Sequence, residues 1–252
     1  MPTWNADQYL KFAEERARPC RDLAARIAVN PVRTVMDLGC GPGNSTKILA
    51  GRWPDAEITG LDNSPDMMDV ARREQPRHKW VLEDITAWAD GEGEKYDVVF
   101  SNAALQWVDD LSRVFPRLLT RVAPRGALAA QMPGNFSSPA HQIMREMAGS
   151  RRVREWRSHH LTFYYDLLAP LSQHVDFWST EYLHVLPDAD AVVEWYKGSG
   201  LRPFLDVLDS DADRERFAAE YRDRIREEYP PRPDGRVLLP FRRVFLVATP
   251  VR

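Results

Sequence analysis

Val35-Met36-Asp37-Leu38-Gly39-Cys40-Gly41-Pro42-Gly43 reads as a strand that runs into a glycine turn, with a helix starting near Asn44-Ser45. Glycines at alternating positions let the backbone turn tightly and let a ligand approach it, where a Cβ would intrude. The helix behind the turn points its unpaired N–H groups and the positive end of its dipole at whatever occupies the turn. The stretch therefore describes a site for a nucleotide-like cofactor on an α/β sheet.

A dinucleotide fingerprint, G-x-G-x-x-G, is excluded by count. Starting at Gly39 puts Asn44 at the third glycine position, and starting at Gly41 puts Thr46 there. The pattern present is Asp-Leu-Gly-x-Gly-x-Gly, with a carboxylate at the strand end. That anion would repel a pyrophosphate and suits a ligand with an ammonium group. The motif resembles the first motif of the class I S-adenosylmethionine-dependent methyltransferases.

Two further acidic positions extend the site. Asp62 ends the alternating run Glu57-Ile58-Thr59-Gly60-Leu61, nineteen residues beyond Gly43, where a carboxylate is placed to bind a ribose diol. Asp84-Ile85 follows the strand-like Lys79-Trp80-Val81-Leu82; in the methyltransferase pattern Asp84 faces the adenine amino group and Ile85 lines the ring. Tyr96–Asn102 reads as a buried strand opening onto Ala103-Ala104-Leu105-Gln106-Trp107, a loop at the carboxyl edge of the sheet, where ligands of open α/β folds bind. The loop lacks the proline-proline-aromatic signature of amide-nitrogen methyltransferases and carries no titratable side chain. Trp107 is either a core aromatic or a wall of the methyl-transfer pocket.

The chain has 252 residues and 44% hydrophobic content, enough for one α/β domain with an insertion. No apolar run approaches the roughly 20 residues needed to span a bilayer, and the N-terminus reads as free of a secretory signal. Two cysteines, Cys20 and Cys40, make neither a disulfide framework nor a metal site, so a cytoplasmic setting and no metal are expected. A net charge of −3 gives no electrostatic case for nucleic acid. Among 34 basic residues only five are lysines, which leaves many arginines suited to bidentate grips on carboxylates.

Two short N-terminal helices are expected, near 7–12 and 19–28. Strands near 34–37, 57–62, 79–83, 96–101 and 126–131 then alternate with helices, which implies parallel strands joined by right-handed crossovers. The runs at 175–182 and 237–247 are expected to add an antiparallel pair at the far edge. About fifty residues separate them, where a hairpin needs only a few. The fold expected is thus a doubly wound, mostly parallel Rossmann-like sheet with an antiparallel edge pair, as one domain over residues 1–252. Helical segments at about 135–172 and 185–236 are expected to cap the methyl-donor pocket. The charge run Arg214–Glu228 alternates in sign and reads as a solvated helix face.

A wider resemblance is colinear over nearly the whole chain. It is carried by Trp4-Asn5-x-x-x-Tyr9-x-x-Phe12-x-x-Glu15-Arg16-x-Arg18-Pro19, by Asp37 to Thr46, and by Asn102-Ala103-x-Leu105-Gln106-Trp107. Gln131-Met132-Pro133, Tyr164-Tyr165-Asp166 and Gly200-Leu201-Arg202-Pro203 complete it. On these residues the chain resembles the trans-aconitate 2-methyltransferase family. The resemblance implies methyl esterification of one carboxylate of a small tricarboxylate. The cofactor set it implies comprises Tyr9, Arg16, Asp37, Gly39, Cys40, Gly41, Asn44, Asp62, Asn63, Met67, Asp84, Ile85, Asn102, Ala103 and Trp107. Trp107, Tyr164, Tyr165 and Arg202 are the substrate-binding expectations. A carboxylate acceptor is already ionised at neutral pH, so no general base is expected.

Overall fold

A computed structural model describes residues 12–155 and 158–251. The chain forms two compact units. One holds Glu14–Gly134, Ser158–Thr180 and Arg243–Arg252; the other holds Met1–Ala13, Asn135–Arg157 and Glu181–Arg242.

The first unit holds five whole strands of a seven-stranded sheet and part of the other two. The strands of the sheet are β1 (Thr34–Leu38), β2 (Glu57–Asp62), β3 (Lys79–Leu82), β4 (Tyr96–Asn102), β5 (Val122–Pro133), β6 (Ser172–Leu186) and β7 (Val237–Pro250), in the order β3-β2-β1-β4-β5-β7-β6. The first five pair in parallel, and β7 pairs antiparallel with β5. This is the doubly wound sheet expected from the alternation of elements. The order reverses between β1 and β4, which opens a crevice at their carboxyl ends.

Helix α1 (Ala13–Arg26) precedes β1, and α2 (Asn44–Arg52), α3 (Pro65–Glu74), α4 (Ile85–Asp90) and α5 (Leu111–Thr120) connect the parallel strands. The expected second N-terminal helix starts earlier than its proline suggested. Pro19 lies inside α1, not at its head. The other expected helix, near 7–12, falls outside the described residues except for Phe12.

Alternation along the strands sorts the sheet into two faces. Met36, Leu38, Val99, Leu128, Ala130 and Met132 join one core with Trp88 of α4 and Phe115 of α5. Tyr164 of α6 (Leu161–Leu168) closes that core, its ring set edge-on to Phe115 at 5.1 Å. Residues 158–172 group with the sheet, because Tyr164 and Leu168 spend the apolar face of α6 on the sheet core. The opposite face carries Val35, Asp37, Phe100, Asn102 and Gln131; Cys20 and Leu23 of α1, and Ile27 just after it, are also buried.

In the second unit α7 (Pro139–Ala148), α8 (Ala189–Lys197), α9 (Arg202–Asp206) and α10 (Asp211–Glu228) enclose their own core. Met144, Trp195, Tyr196, Phe204, Tyr221 and Phe241 are all buried there. The arginines of α10 form ion pairs on exposed surface, among them Arg226 with Asp190 at 3.0 Å, as the alternating signs had indicated. No helix of the described residues is long and apolar enough to cross a membrane.

Arg121 is a buried cation with a structural task. Its guanidinium lies 4.0 Å above the Trp88 ring and donates to the carbonyls of Trp88 (2.6 Å) and Gly91 (3.1 Å) at the end of α4. Those carbonyls have no helical partner of their own. Arg121→Met keeps the bulk and deletes the donors, and should lower the free energy of unfolding by about 2 kcal/mol. A urea midpoint equal to that of the wild type would show that water serves these carbonyls equally well.

Candidate active site

The glycine turn has the backbone that the motif requires. Gly39, Gly41 and Gly43 take φ values of 69°, 55° and 92°, in the left-handed region that side chains disfavour. At Gly39 a Cβ would lie 2.1 Å from the Ala104 Cβ, so the turn and the 102–107 loop touch only because glycine stands there. At Gly41 a Cβ would meet nothing within 4 Å. That open side is where a ligand can approach the backbone.

Asp37 is fully buried. Its Oδ2 accepts 2.7 Å hydrogen bonds from both Ser45 and Thr46, the first-turn hydroxyls of α2. The cap residue Gly43 offers α2 no side-chain bond, so the carboxylate stabilises this helix end through its hydroxyls and the dipole. Oδ1 is buried with no hydrogen-bond partner among the described residues. Burial raises the Asp37 carboxyl from 3.8 to about 6, against the lowering effect of the Thr46 and Ser45 bonds and with some help from the Asp62 charge.

The neighbouring strand ends continue the row. Asp62 accepts from Gly41 N–H (2.9 Å) through Oδ2 and from Ser64 N–H (2.9 Å) through Oδ1, which ties the second strand to the glycine turn. Its remaining lone pairs can accept a diol. Asp84 caps α4, accepting from Thr86 N–H (2.8 Å) and Ala87 N–H (3.3 Å), a role the strand-end reading did not give it. Asn63 donates to its other oxygen at 3.4 Å. Ile85 stands 3.6 Å from the Cβ position of Gly39. Cys40, within the turn, and Met67, on α3, are buried, and Asn44 is exposed at the head of α2.

On the other side of β1, Asn102 ends β4 and Ala103 follows at φ 57°, a strained conformation for a residue with a Cβ. The strain is held by two bonds: Ala103 N–H donates to Gln131 O (2.9 Å), and Gln106 Nε2 donates to Ala103 O (2.6 Å). It delivers Ala104 against Gly39. Leu105 is the core residue of this loop, whereas Trp107 is half-buried and belongs to neither apolar core. Asn102 Oδ1 and both amide atoms of Gln131 are buried without a partner among the described residues.

The edge from Asp84 through Asp62 and Asp37 to Asn102 is therefore rich in acceptors. It fits a ligand that offers hydroxyls, an amino group, an ammonium and positive charge, and it does not fit a pyrophosphate. S-adenosylmethionine has that donor set. Arg16, on α1, is half-buried with its Nε enclosed; Tyr9 lies outside the described residues. Among the described residues no cluster of side chains could hold a metal.

The substrate expectations fare differently. Tyr164 is corrected: its ring is fully buried in the sheet core, and its hydroxyl accepts from His159 N–H (3.1 Å) and meets Met132 Sδ at 3.5 Å. Tyr165, on the next helical position, is turned outward and 52% exposed. Arg202 heads α9 in the other unit, with its Nε 3.9 Å from Asp206. The reading assigned no role to Gln131, although a lone amide inside the apolar run Ala127–Met132 was a visible signal.

Residues 35–126 match the family model described as a methyltransferase domain. The chain is 45% identical over 256 residues to the trans-aconitate 2-methyltransferase of Azoarcus sp. (strain BH72), covering 98% of this chain and 99% of that protein. With the enzyme of the same name from Afipia carboxidovorans it shares 46% identity over 258 residues, covering 99% and 100%. Among solved structures, the YcgJ protein from Bacillus subtilis superposes with a TM-score of 0.62 at 11% identity, over 93% of this chain and 100% of that one. Haemonchus contortus phosphoethanolamine N-methyltransferase 2 superposes with a TM-score of 0.55 at 15% identity, over 93% and 53%. These structural likenesses establish the shared methyltransferase fold.

The raised Asp37 carboxyl couples stability to pH. An acid whose folded pKa exceeds its unfolded value stabilises the fold below the unfolded pKa, and that contribution is lost as pH rises through the folded pKa. The unfolding free energy of the ligand-free wild type, minus that of Asp37→Asn, should therefore grow by about 2–3 kcal/mol as pH falls from 7.5 to 4. A difference that stays flat over this range would place the Asp37 pKa at its ordinary value.

Proposed function

Because the chain belongs to the trans-aconitate 2-methyltransferase family, we propose that it transfers the methyl group of S-adenosylmethionine to one carboxylate of trans-aconitate. The products are the monomethyl ester and S-adenosylhomocysteine. The observation that carries this reading is the extent of the likeness. The methyltransferase-domain match ends at residue 126, while the likeness to the named enzymes runs through 98% of the chain, the acceptor-side segments included.

The cofactor, when bound, supplies an electrophilic methyl group on a sulfonium centre. The residues of this chain do the rest. Asp62 accepts the ribose hydroxyls, while Asp84 and Ile85 take the purine. Asp37 sets a negative field for the ammonium and sulfonium charges. Arg16 and Tyr9 are assigned to the amino-acid end of the cofactor. Asn102, Ala103 and Trp107 wall the point of transfer, and the loop that bears them holds no titratable side chain. That suits an acceptor that arrives ionised and needs only orientation, charge complementarity and exclusion of water. Its partner is thus a small tricarboxylate and not a nucleic acid, consistent with the net charge of −3. Cys20 and Cys40 are both free and buried, which supports a reducing, cytoplasmic setting.

With methyl-labelled S-adenosylmethionine and a panel of trans-aconitate, cis-aconitate, citrate, isocitrate and a monoacid, base-labile label should pass to trans-aconitate far faster than to the others. Alkali-stable label, or transfer only to a hydroxyl or amine acceptor, would overturn carboxyl methylation. Equal rates for every acid would overturn the assigned substrate.

A further inference from the structure

The glycine turn is held at its helix end by two residues that its motif does not include. Gly43, the last glycine, caps α2 without a side-chain bond, and its carbonyl accepts from Lys47 N–H at 2.9 Å. The same carbonyl accepts a second bond, of 2.8 Å, from Gln75 Nε2–H. Gln75 is the C-cap of α3, where its own N–H donates to Ala71 O. Its carbonyl in turn accepts from the indole N–H of Trp80 at 3.1 Å. Two side-chain donors thus link β3 to the end of α3, and the end of α3 to the head of α2.

Packing follows the same path. A Cβ at Gly43 would lie 2.3 Å from Gln75 Nε2 and 3.0 Å from Trp80 Cη2. A Cβ at Gly60 would lie 2.4 Å and 2.6 Å from Trp80 Cζ3 and Cε3, and 3.0 Å from Cys40 Sγ. One edge of the indole therefore runs from the middle of β2 to the turn, through space that two absent side chains leave open. The register pairs Asp37 with Gly60 and Gly60 with Trp80, so the ring stands on the face that carries Asp37. A glycine inside an apolar strand marks this kind of close approach.

Neither side chain reaches the open side of the turn at Gly41, where a Cβ would meet nothing within 4 Å. Their route to a ligand there is the backbone. Asp62 ties Gly41 N–H from β2, and Gln75 ties Gly43 O from α3. Glycine loses more conformational freedom on ordering than any other residue, so a turn of three glycines is held largely by such ties. Ordering the turn before the ligand arrives removes that cost from binding. Without the tie only a fraction of molecules carries the competent turn, and apparent affinity falls by that fraction.

We infer that Gln75 and Trp80 are positioning residues for the cofactor, which set its affinity by holding the glycine turn in the arrangement that its ligand meets. This deepens the proposed use of S-adenosylmethionine and rests on that reading. In this role neither residue touches cofactor or acceptor. A bound cofactor orders the turn in either case, so transfer at saturating cofactor and the KM of the acceptor do not depend on the pair.

The test uses the full chain with Gln75→Met, which deletes the donor at similar length, and Trp80→Phe, which deletes the indole N–H. Each should weaken S-adenosylhomocysteine binding, measured by calorimetry, by about three- to tenfold. The KM for S-adenosylmethionine should rise by a similar factor, while kcat and the KM for trans-aconitate stay at the wild-type values. Gln75→Glu adds a readout that a general loosening of the fold would not move. Its carboxylate faces the Gly43 carbonyl, and its protonated form donates as the amide does. Affinity relative to the wild type should therefore be weakest near pH 8 and recover toward about pH 5. The ratio cancels the titration of Asp37, Asp62 and His78, which both proteins share. Lowered thermal stability with unchanged S-adenosylhomocysteine affinity would overturn the inference. Cofactor and acceptor KM values that rise together, or a Gln75→Glu ratio that is flat with pH, would overturn it as well. If one variant does not fold, the other two carry the comparison. Wild-type protein that binds no S-adenosylhomocysteine would sink the cofactor reading and the inference with it. Wild-type binding without transfer to any acid would sink only the assigned substrate, and the calorimetric comparison would still decide the role of the pair.

Discussion

A carboxylate sealed inside the sheet edge is the constraint on which the rest of this site depends. Asp37 has no exposure, yet two 2.7 Å bonds from Ser45 and Thr46 hold its Oδ2. Those bonds fix where α2 begins and hence where the glycine turn must pass. Asp62 then fastens the same turn from the second strand through Gly41 N–H. The turn is thus tied at two points by acids whose charge burial opposes, and both carboxyls are pushed above their ordinary range. A cationic ligand relieves that opposition, because positive charge beside a buried carboxylate favours its ionised form. In this way the same atoms that shape the turn also select the sign of its occupant.

The second tie runs from the turn to the transfer loop. Gly39 has no Cβ because Ala104 fills that space, and Ala104 is there because Ala103 is held at φ 57°. Gln106 and the β5 carbonyl of Gln131 keep that residue in place. A change on β5 can therefore reach the glycine turn by way of three residues of loop. The geometry of the cofactor end and that of the transfer loop are not independent, even though their side chains come from strands that are not neighbours in sequence.

Much of this was legible in the sequence, for identifiable reasons. Glycines at alternating positions after an apolar strand leave few backbone solutions, and strand–helix alternation with an insert before the last strand restricts the topology. The mostly parallel sheet with antiparallel pairing toward its far edge followed those signals, whereas the strand order was not among the expectations. Tyr164 was misread because an aromatic doublet gives no sign of which ring faces inward; on α6 one tyrosine packs on Phe115 while its neighbour faces water. Asp84 was read as a strand-end acid facing the adenine amino group, and its capping of α4 was missed, since a helix cap and a ligand acid look alike before the helix is placed. The spacing of apolar residues in 158–172 likewise does not say which core they join; Tyr164 and Leu168 join that of the sheet.

Gln131 and Arg243 show why the remainder was hidden. Each is a polar residue within a β-strand, and a period of two does not say whether its face is wetted or buried. On an edge strand such residues would face solvent and mean little. Here β7 covers β5, and α1 adds the buried Cys20 and Leu23, with Ile27 just beyond its end. The polar groups are thereby committed to a dry interior, and the cost of drying the amide and guanidinium falls on folding.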